Sequence, residues 1–342
     1  MVFYPALAVL VASAFAQERF ELKLVDPLYP DQPAKSYDVV LEKDEHGFPL
    51  EYCLLLKTKV CLDGTCEELE ATLKWDALGR FSRLEHVEDA PLAKGDLKPF
   101  SAEDYVQLDQ ILRNRRSILG AHPLDFFLTH PTHQSTDVDG ITAATPQAVK
   151  GAVVDGAAYT SWTLWHWANG EVVSQLYSQT LSLADADYLL QCLNSSDRRF
   201  VRFALDRLLE DGLEDPRQQT AIFHILESGG QANCTSALQL LLEASDDLDQ
   251  VHQKLIGLIG KNGGSSQLIL AYLKEQPGLD LEIWVGLAEQ LKHIPGYRDL
   301  DGALAVLTEH ANGSPEVRSL VAQLLESEDR FVVRRAAIFL EQ

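Results

Sequence analysis

From about Leu181 to its end, the chain shows one kind of hydrophobic pattern: apolar residues recurring every three to four positions, in blocks parted by Gly212, Gly229-Gly230, Gly263-Gly264 and Pro277-Gly278. Blocks of roughly 11 to 16 residues with so little chain between them must bury their stripes on the helices before and after them. About ten helices fit this segment, stacked as hairpins. Upstream the period differs. Residues 37–41, 52–61 and 68–75 are rich in Val, Leu, Thr and aromatics, and Asp44-Glu45-His46-Gly47, Asp63-Gly64 and Asp76-Ala77-Leu78-Gly79 part them as turns. That is an antiparallel meander. Ser101, with Glu103 and Asp104 behind it, predicts a capped helix carrying Tyr105, Leu108, Ile111 and Leu112. An irregular stretch follows over residues 117–139. A second helix is expected from Thr145-Pro146 through Trp162, Trp165 and Trp167 to about Ala168, closed by Asn169-Gly170. The expected organisation is an α+β N-terminal domain, antiparallel sheet plus helices, over residues 17–170, followed by an all-α domain over residues 171–342.

The 51 acidic and 29 basic side chains leave a net charge of −22, which repels phosphate backbones and anionic headgroups and argues against nucleic acid as a partner. Residues 1–16 carry no charged side chain, hold the apolar run from Ala6 to Ala12 and end in Ala14-Phe15-Ala16, the form of a signal peptide cleaved before Gln17. The run is too short to span a bilayer, and no other stretch reaches that length. The mature chain is expected to be exported, periplasmic or extracellular, with no membrane span. In an oxidising compartment Cys61 and Cys66 are the pair expected to form a disulfide, across the turn Leu62-Asp63-Gly64-Thr65, with Cys53 free. The pairing of Cys192 and Cys234, on separate predicted helices, stays open. Cys61-x4-Cys66 lacks the second pair of ligands that a zinc site needs.

Within the helical half, Asp197-Arg198, Val201-Arg202, Ala204 and Leu208 recur with the same spacing as Asp329-Arg330, Val333-Arg334, Ala336 and Leu340. Pro315, Val317-Arg318, Ala322 and Leu325 form a looser copy. This pattern resembles HEAT and related α-solenoid repeats, which implies an all-α HEAT-like solenoid with proline opening a helix and the Asp and Arg on the packed seam. Such stacks present a long surface to protein partners.

The sharpest local motif is Val138-Asp139-Gly140-Ile141-Thr142-Ala143-Ala144-Thr145, directly before a predicted helix start where amide hydrogens lack partners. It resembles the Asp-x-x-Ser/Thr-Gly-Ala-Thr motif of FMN-binding domains in sodium-pumping and Rnf-type respiratory redox complexes and related exported flavoproteins. Asp139, Thr142, Ala144 and Thr145 match. Ala143 stands where that family has glycine, Pro146-Gln147-Ala148 where it has Thr or Ser, and no Glu-Thr-Pro-Gly segment lies upstream. The resemblance implies that Thr145 is esterified to the FMN phosphate, with Asp139, Thr142, Ala143 and Ala144 shaping the loop. From the residues alone, Thr145 is an N-cap and Pro146 the first helical residue.

His122, His130 and His133, with Asp137 and Asp139, could be drawn together as a metal site, but a loop His-x-x-His does not hold both rings on one face, and surface histidines are the better reading. Trp162, Trp165 and Trp167 around His166 could stack a flavin; core packing is the simpler use of tryptophans at helical spacing. No Gly-x-Ser-x-Gly, His-Glu-x-x-His, phosphate-loop or Cys-x-x-Cys-His motif is present. An electron carrier or binding protein therefore fits better than a catalyst with its own substrate. In the carrier form, covalent FMN serves extracytoplasmic electron transfer and the solenoid docks a redox protein. In the adaptor form, the same architecture is a cofactor-free scaffold.

Overall fold

In a computed structural model, the structure describes residues 16–60, 68–86, 91–94, 98–129, 151–213, 215–228, 230–245 and 247–342. Five strands, β1 (Gln17–Leu24), β2 (Lys35–Lys43), β3 (Pro49–Lys59), β4 (Glu68–Asp76) and β5 (Phe81–His86), form one antiparallel sheet in sequence order. The expected meander is therefore present. Its turns work through acidic side chains. Asp44 Oδ1 accepts from the amides of His46 and Phe48, and Asp76 Oδ1 from those of Leu78 and Arg80. Alternation along β3 and β4 puts Tyr52, Leu54, Leu56, Leu69, Ala71, Leu73 and Trp75 on one buried face.

Helices cover that face. α1 (Ala102–Arg113) begins at Ser101 with a capping box: Ser101 Oγ accepts from the Asp104 amide and Asp104 Oδ2 from the Ser101 amide. Its buried face is Leu108, Ile111 and Leu112. The stretch expected to be irregular contains a 3-10 turn, Ile118–Gly120, and a short helix, α2 (Leu124–Thr129). The expected continuous helix from Thr145 to Ala168 is corrected. Gly151 and Ala152 are helical, but the chain turns before α3 (Ala158–Asn169) begins. The turn contains Gly156 at φ 73°, a conformation that costs glycine little, and it buries Val153, Val154 and Ala157.

α4 (Glu171–Leu183) lies one helix beyond the division expected at residue 170, yet it belongs to the first compact unit, Met1–Leu183. Tyr52 donates to the Thr180 hydroxyl at 2.7 Å, and that hydroxyl donates to the Ala77 carbonyl. Burial pushes the Tyr52 phenol up to about 12, so it remains a donor. Close approach of this helix also explains Gly79. A β-carbon there would sit 2.8 Å from the Val173 carbonyl oxygen, and its φ is 72°.

The second unit, Ala184–Gln342, holds ten α-helices among the described residues. They are α5 (Ala186–Leu193), α6 (Arg198–Asp211), α7 (Pro216–Ser228), α8 (Gln231–Ala244), α9 (Leu248–Ile256), α10 (Gly263–Lys274), α11 (Leu281–Gln290), α12 (Tyr297–His310), α13 (Pro315–Gln323) and α14 (Arg330–Glu341). Several are shorter than expected, down to eight residues in α5. Polar side chains at their starts accept first-turn amides: Asp185, Asp197, Asp247, Asn262, Ser314 and Asp329. Gly263-Gly264, expected as a break, instead opens α10 behind Asn262. The even-numbered helices pack in succession from α6 to α14, and α9, α11 and α13 pack likewise in a second row. Hairpin contacts join the rows.

The recurrent Asp and Arg do not both lie on a packed seam. Asp197 and Asp329 are N-caps, bonding the amides of Arg199 and Phe331 at 2.9 and 2.8 Å. Arg202 does cross between helices, donating to Ser236 of α8 at 2.9 Å, but its counterpart Arg334 is exposed. Arg335 instead makes the ion pair to Asp301 of α12.

Thr180→Val removes the hydroxyl between Tyr52 and Ala77 at nearly constant volume. Chemical denaturation should show a loss of about 1–3 kcal/mol from the buried groups left without partners. An unchanged midpoint would contradict the assignment of α4 to the sheet core.

Candidate functional site

The motif residues Asp139, Thr142, Ala143, Ala144 and Thr145 lie outside the described residues, as do His130, His133, Asp137, Cys61 and Cys66. The described chain on either side of that motif is tied to α3. Trp162 Nε1 donates to the His122 carbonyl at 3.0 Å, Trp165 Nε1 to that of Asn114 at 2.9 Å and Asn169 Nδ2 to that of Leu112 at 2.9 Å. His166 Nε2 lies 3.0 Å from the Leu119 carbonyl, which can only accept, so this nitrogen carries the proton. From the sheet side, Trp75 Nε1 donates to the Ala168 carbonyl at 2.8 Å. Val154 is held as well, its amide donating to Ser161 Oγ at 3.0 Å. Trp167 is 2% exposed and packs edge-on against Tyr37, with ring centroids 5.0 Å apart. The aromatic helix is therefore a clamp on backbone carbonyls. Trp165 and Trp167 are buried, Trp162 and His166 half-buried, and all but Trp167 spend a ring nitrogen on a backbone carbonyl, a use that accords with core packing.

His122, the one described member of the drawn metal set, stacks on Phe126 at 4.2 Å. Elsewhere Glu42, Glu51 and Cys53 place potential ligand atoms within 4.8 Å of one another on the outer sheet face. Glu51 is already engaged: Arg83 donates to both its oxygens, at 2.8 and 2.7 Å, and Ser82 to Oε1 at 2.9 Å. Burial pushes the Cys53 thiol up to about 11, so it is not a thiolate at neutral pH. This group is an ion-paired sheet surface. Cys53, Cys192 and Cys234 are all free and buried, which answers the open pairing of the last two.

Among the described residues, one feature suited to recognition is a groove of about 710 Å³ between α9, α11 and the start of α13. α11 is two-faced. Ile283, Trp284, Leu287 and Ala288 are buried, whereas Glu282, Val285, Gly286 and Glu289 form the opposite stripe at helical spacing and line the groove. Leu281 is 49% exposed at its edge. Glu316 of α13 adds a third carboxylate, and Lys292 and His293 close the far end. A smaller groove of about 320 Å³ between α7 and α9 shares Gly257 with the first. There Lys254 lies 5.2 Å from the centre of the Phe223 ring, and Lys261 pairs with Glu227 at 3.0 Å. The α11 stripe is inconspicuous in the sequence because glycine and glutamate interrupt its apolar residues. The i, i+3, i+4, i+7 spacing was the available signal.

Models of known protein families, curated proteins and solved structures give no match to this chain.

Burial lowers the His166 pKa below its ordinary value of 6.5, outweighing the Leu119 hydrogen bond. The neutral ring's contribution is complete above 6.5 and is lost as pH falls through the folded-state value, because the unfolded chain binds the proton more readily. Thermal unfolding of the full chain should therefore move to lower temperature between pH 7.5 and 5.5, with a shallower dependence in His166→Gln. Identical slopes in both proteins would exclude this role.

Proposed function

We propose that this chain is an exported interaction protein whose helical half is a HEAT-like solenoid that holds a protein partner, with the α+β unit as a cofactor-free adaptor domain. The observation that carries this reading is the open groove on α9, α11 and α13, where the exposed Glu282 and Glu289 flank the half-buried Val285 and Gly286 at helical spacing. Successive packing within the even-numbered row supports the solenoid, since each hairpin buries its stripe on the next. No helix among the described residues is long and apolar enough to cross a membrane. β1 begins at Gln17, so cleavage before that residue keeps the strand and removes only the Ala16 carbonyl that accepts from the Lys43 amide.

The adaptor form is favoured over the covalent FMN carrier by the commitment of Trp162, Trp165 and His166 to backbone carbonyls. In the carrier form, Thr145 would bear the phosphoester and Asp139, Thr142, Ala143 and Ala144 would shape its loop.

Intact-mass measurement on protein secreted from a host with flavin transferase and abundant FAD separates the two. The adaptor reading expects a chain starting at Gln17, with no FMN increment. An increment that Thr145→Ala removes would establish the carrier, and retention of residues 1–16 would overturn export. The interaction reading is tested by affinity capture with the full mature chain from the same extracytoplasmic fraction. A saturable protein partner released by salt is expected; none at any salt concentration would contradict it.

A further inference from the structure

Building on the interaction-protein reading, we infer that the α9–α11–α13 groove receives a partner helix bearing lysine or arginine two turns apart on either side of an apolar centre. Glu282 and Glu289 stand seven residues apart on α11, about 10.5 Å along the axis. Val285 and Gly286 lie between them on the same face, both half-buried. Ile256 at the end of α9 is buried beneath this stretch, and Leu281 is exposed at its rim.

The site is thus an apolar saddle flanked by carboxylates. Its chemistry is recognised by the mirror pattern: an apolar side chain over Gly286, with basic groups one turn or so to either side. Gly286 leaves the saddle shallow. A β-carbon built there meets only Ile256 Cδ1, at 4.0 Å.

Charge decides the sign of the partner. No hydrogen bond or ion pair among the described residues engages Glu282, Glu289 or Glu316, all of which are exposed. Lys292 is the one Lys or Arg in the lining, so the groove remains net acidic. The segment from residue 171 to 342 has 26 acidic and 14 basic side chains, a difference of −12, which favours encounter with the same class of partner. An acidic helix would place like charges together at both ends of the saddle, a cost that also gives specificity.

The test uses the full mature chain and two labelled synthetic helices, one with lysines seven residues apart around leucines and one with glutamates in their place. Fluorescence anisotropy should show saturable one-to-one binding of the lysine helix, weakened by salt, and no comparable binding of the glutamate helix. Gly286→Leu fills the saddle, its β-carbon meeting only Ile256 Cδ1, and should weaken binding by about tenfold or more. Glu282→Lys/Glu289→Lys should do the same. Glu326→Lys/Glu328→Lys makes an equal change in net charge outside the groove and should leave the affinity within about twofold. Circular dichroism establishes that each variant is folded, and the surface charge reversal keeps the test decisive if Gly286→Leu is not.

Equal weakening by both charge reversals, or no effect of Gly286→Leu in a folded chain, would reduce the binding to general acidic attraction and overturn the inference. Tight binding of the glutamate helix would overturn the charge assignment. Undiminished capture of a natural partner by Gly286→Leu would also overturn this site while leaving the interaction reading intact.

Discussion

The first unit depends on α3 acting as a clamp. A helix normally bonds its own backbone and offers only apolar contact to its neighbours, but α3 also reaches the carbonyls of Leu112, Asn114, Leu119 and His122 through side-chain N–H groups. The Trp75 indole ties the sheet back to Ala168. Each bond contributes only about 1 kcal/mol net, yet each buried carbonyl deprived of its donor costs more than that. Together they fix the chain that leaves α1, and the Val154 amide bonded to Ser161 Oγ fixes the path leading into α3. α4 completes the layer through Thr180, which joins a tyrosine in β3 to the turn between β4 and β5. Trp162 and Trp165 show one use of aromatic side chain on so short a helix, since an indole combines a large apolar body with a donor, while Trp167 serves by packing.

Much of this fold is legible in the sequence, for reasons that can be assigned residue by residue. Asp44 and Asp76 sit where their carboxylates can close turns, and Ser101 stands three residues before Asp104, so the strand and helix starts are written locally. The break before α3 was not legible in the same way. Gly151, Gly156 and the alanines read as a thin helix, whereas Val153 and Val154 in fact leave the helical path to enter the core. α4 has the same amphipathic period as the helices after it, so the sequence does not set it apart from them, although it lies in the first compact unit. Its place is set by contacts that the sequence does not show, Thr180 with Tyr52 and Ala77, and Val173 against Gly79.

The second unit shows how a repeated sequence pattern can preserve architecture without preserving each contact. Asp197 and Asp329 both cap helices, a local role that the spacing fixes, while the crossing arginine is Arg202 in one copy and the neighbour of its counterpart in the other. The candidate motif around Thr145 was conspicuous in sequence, whereas the α11 stripe was inconspicuous because its meaning depends on what α9 and α13 leave open beside it. Trp284 and Leu287 hold one face of α11 in the core, so Glu282, Val285, Gly286 and Glu289 must face outward. A groove with this composition follows from packing rather than from any single motif.

On the proposed reading, the helical half of this chain acts by holding a protein segment in the groove along α9, α11 and α13. Hydrogen exchange of the full mature chain, with and without its captured partner, addresses it most directly. The account predicts slowed exchange concentrated in the end of α9, in α11 and at the start of α13, with the five-stranded sheet unchanged. Protection confined to the sheet and α1–α4, with α9, α11 and α13 exchanging as in the free chain, would contradict it.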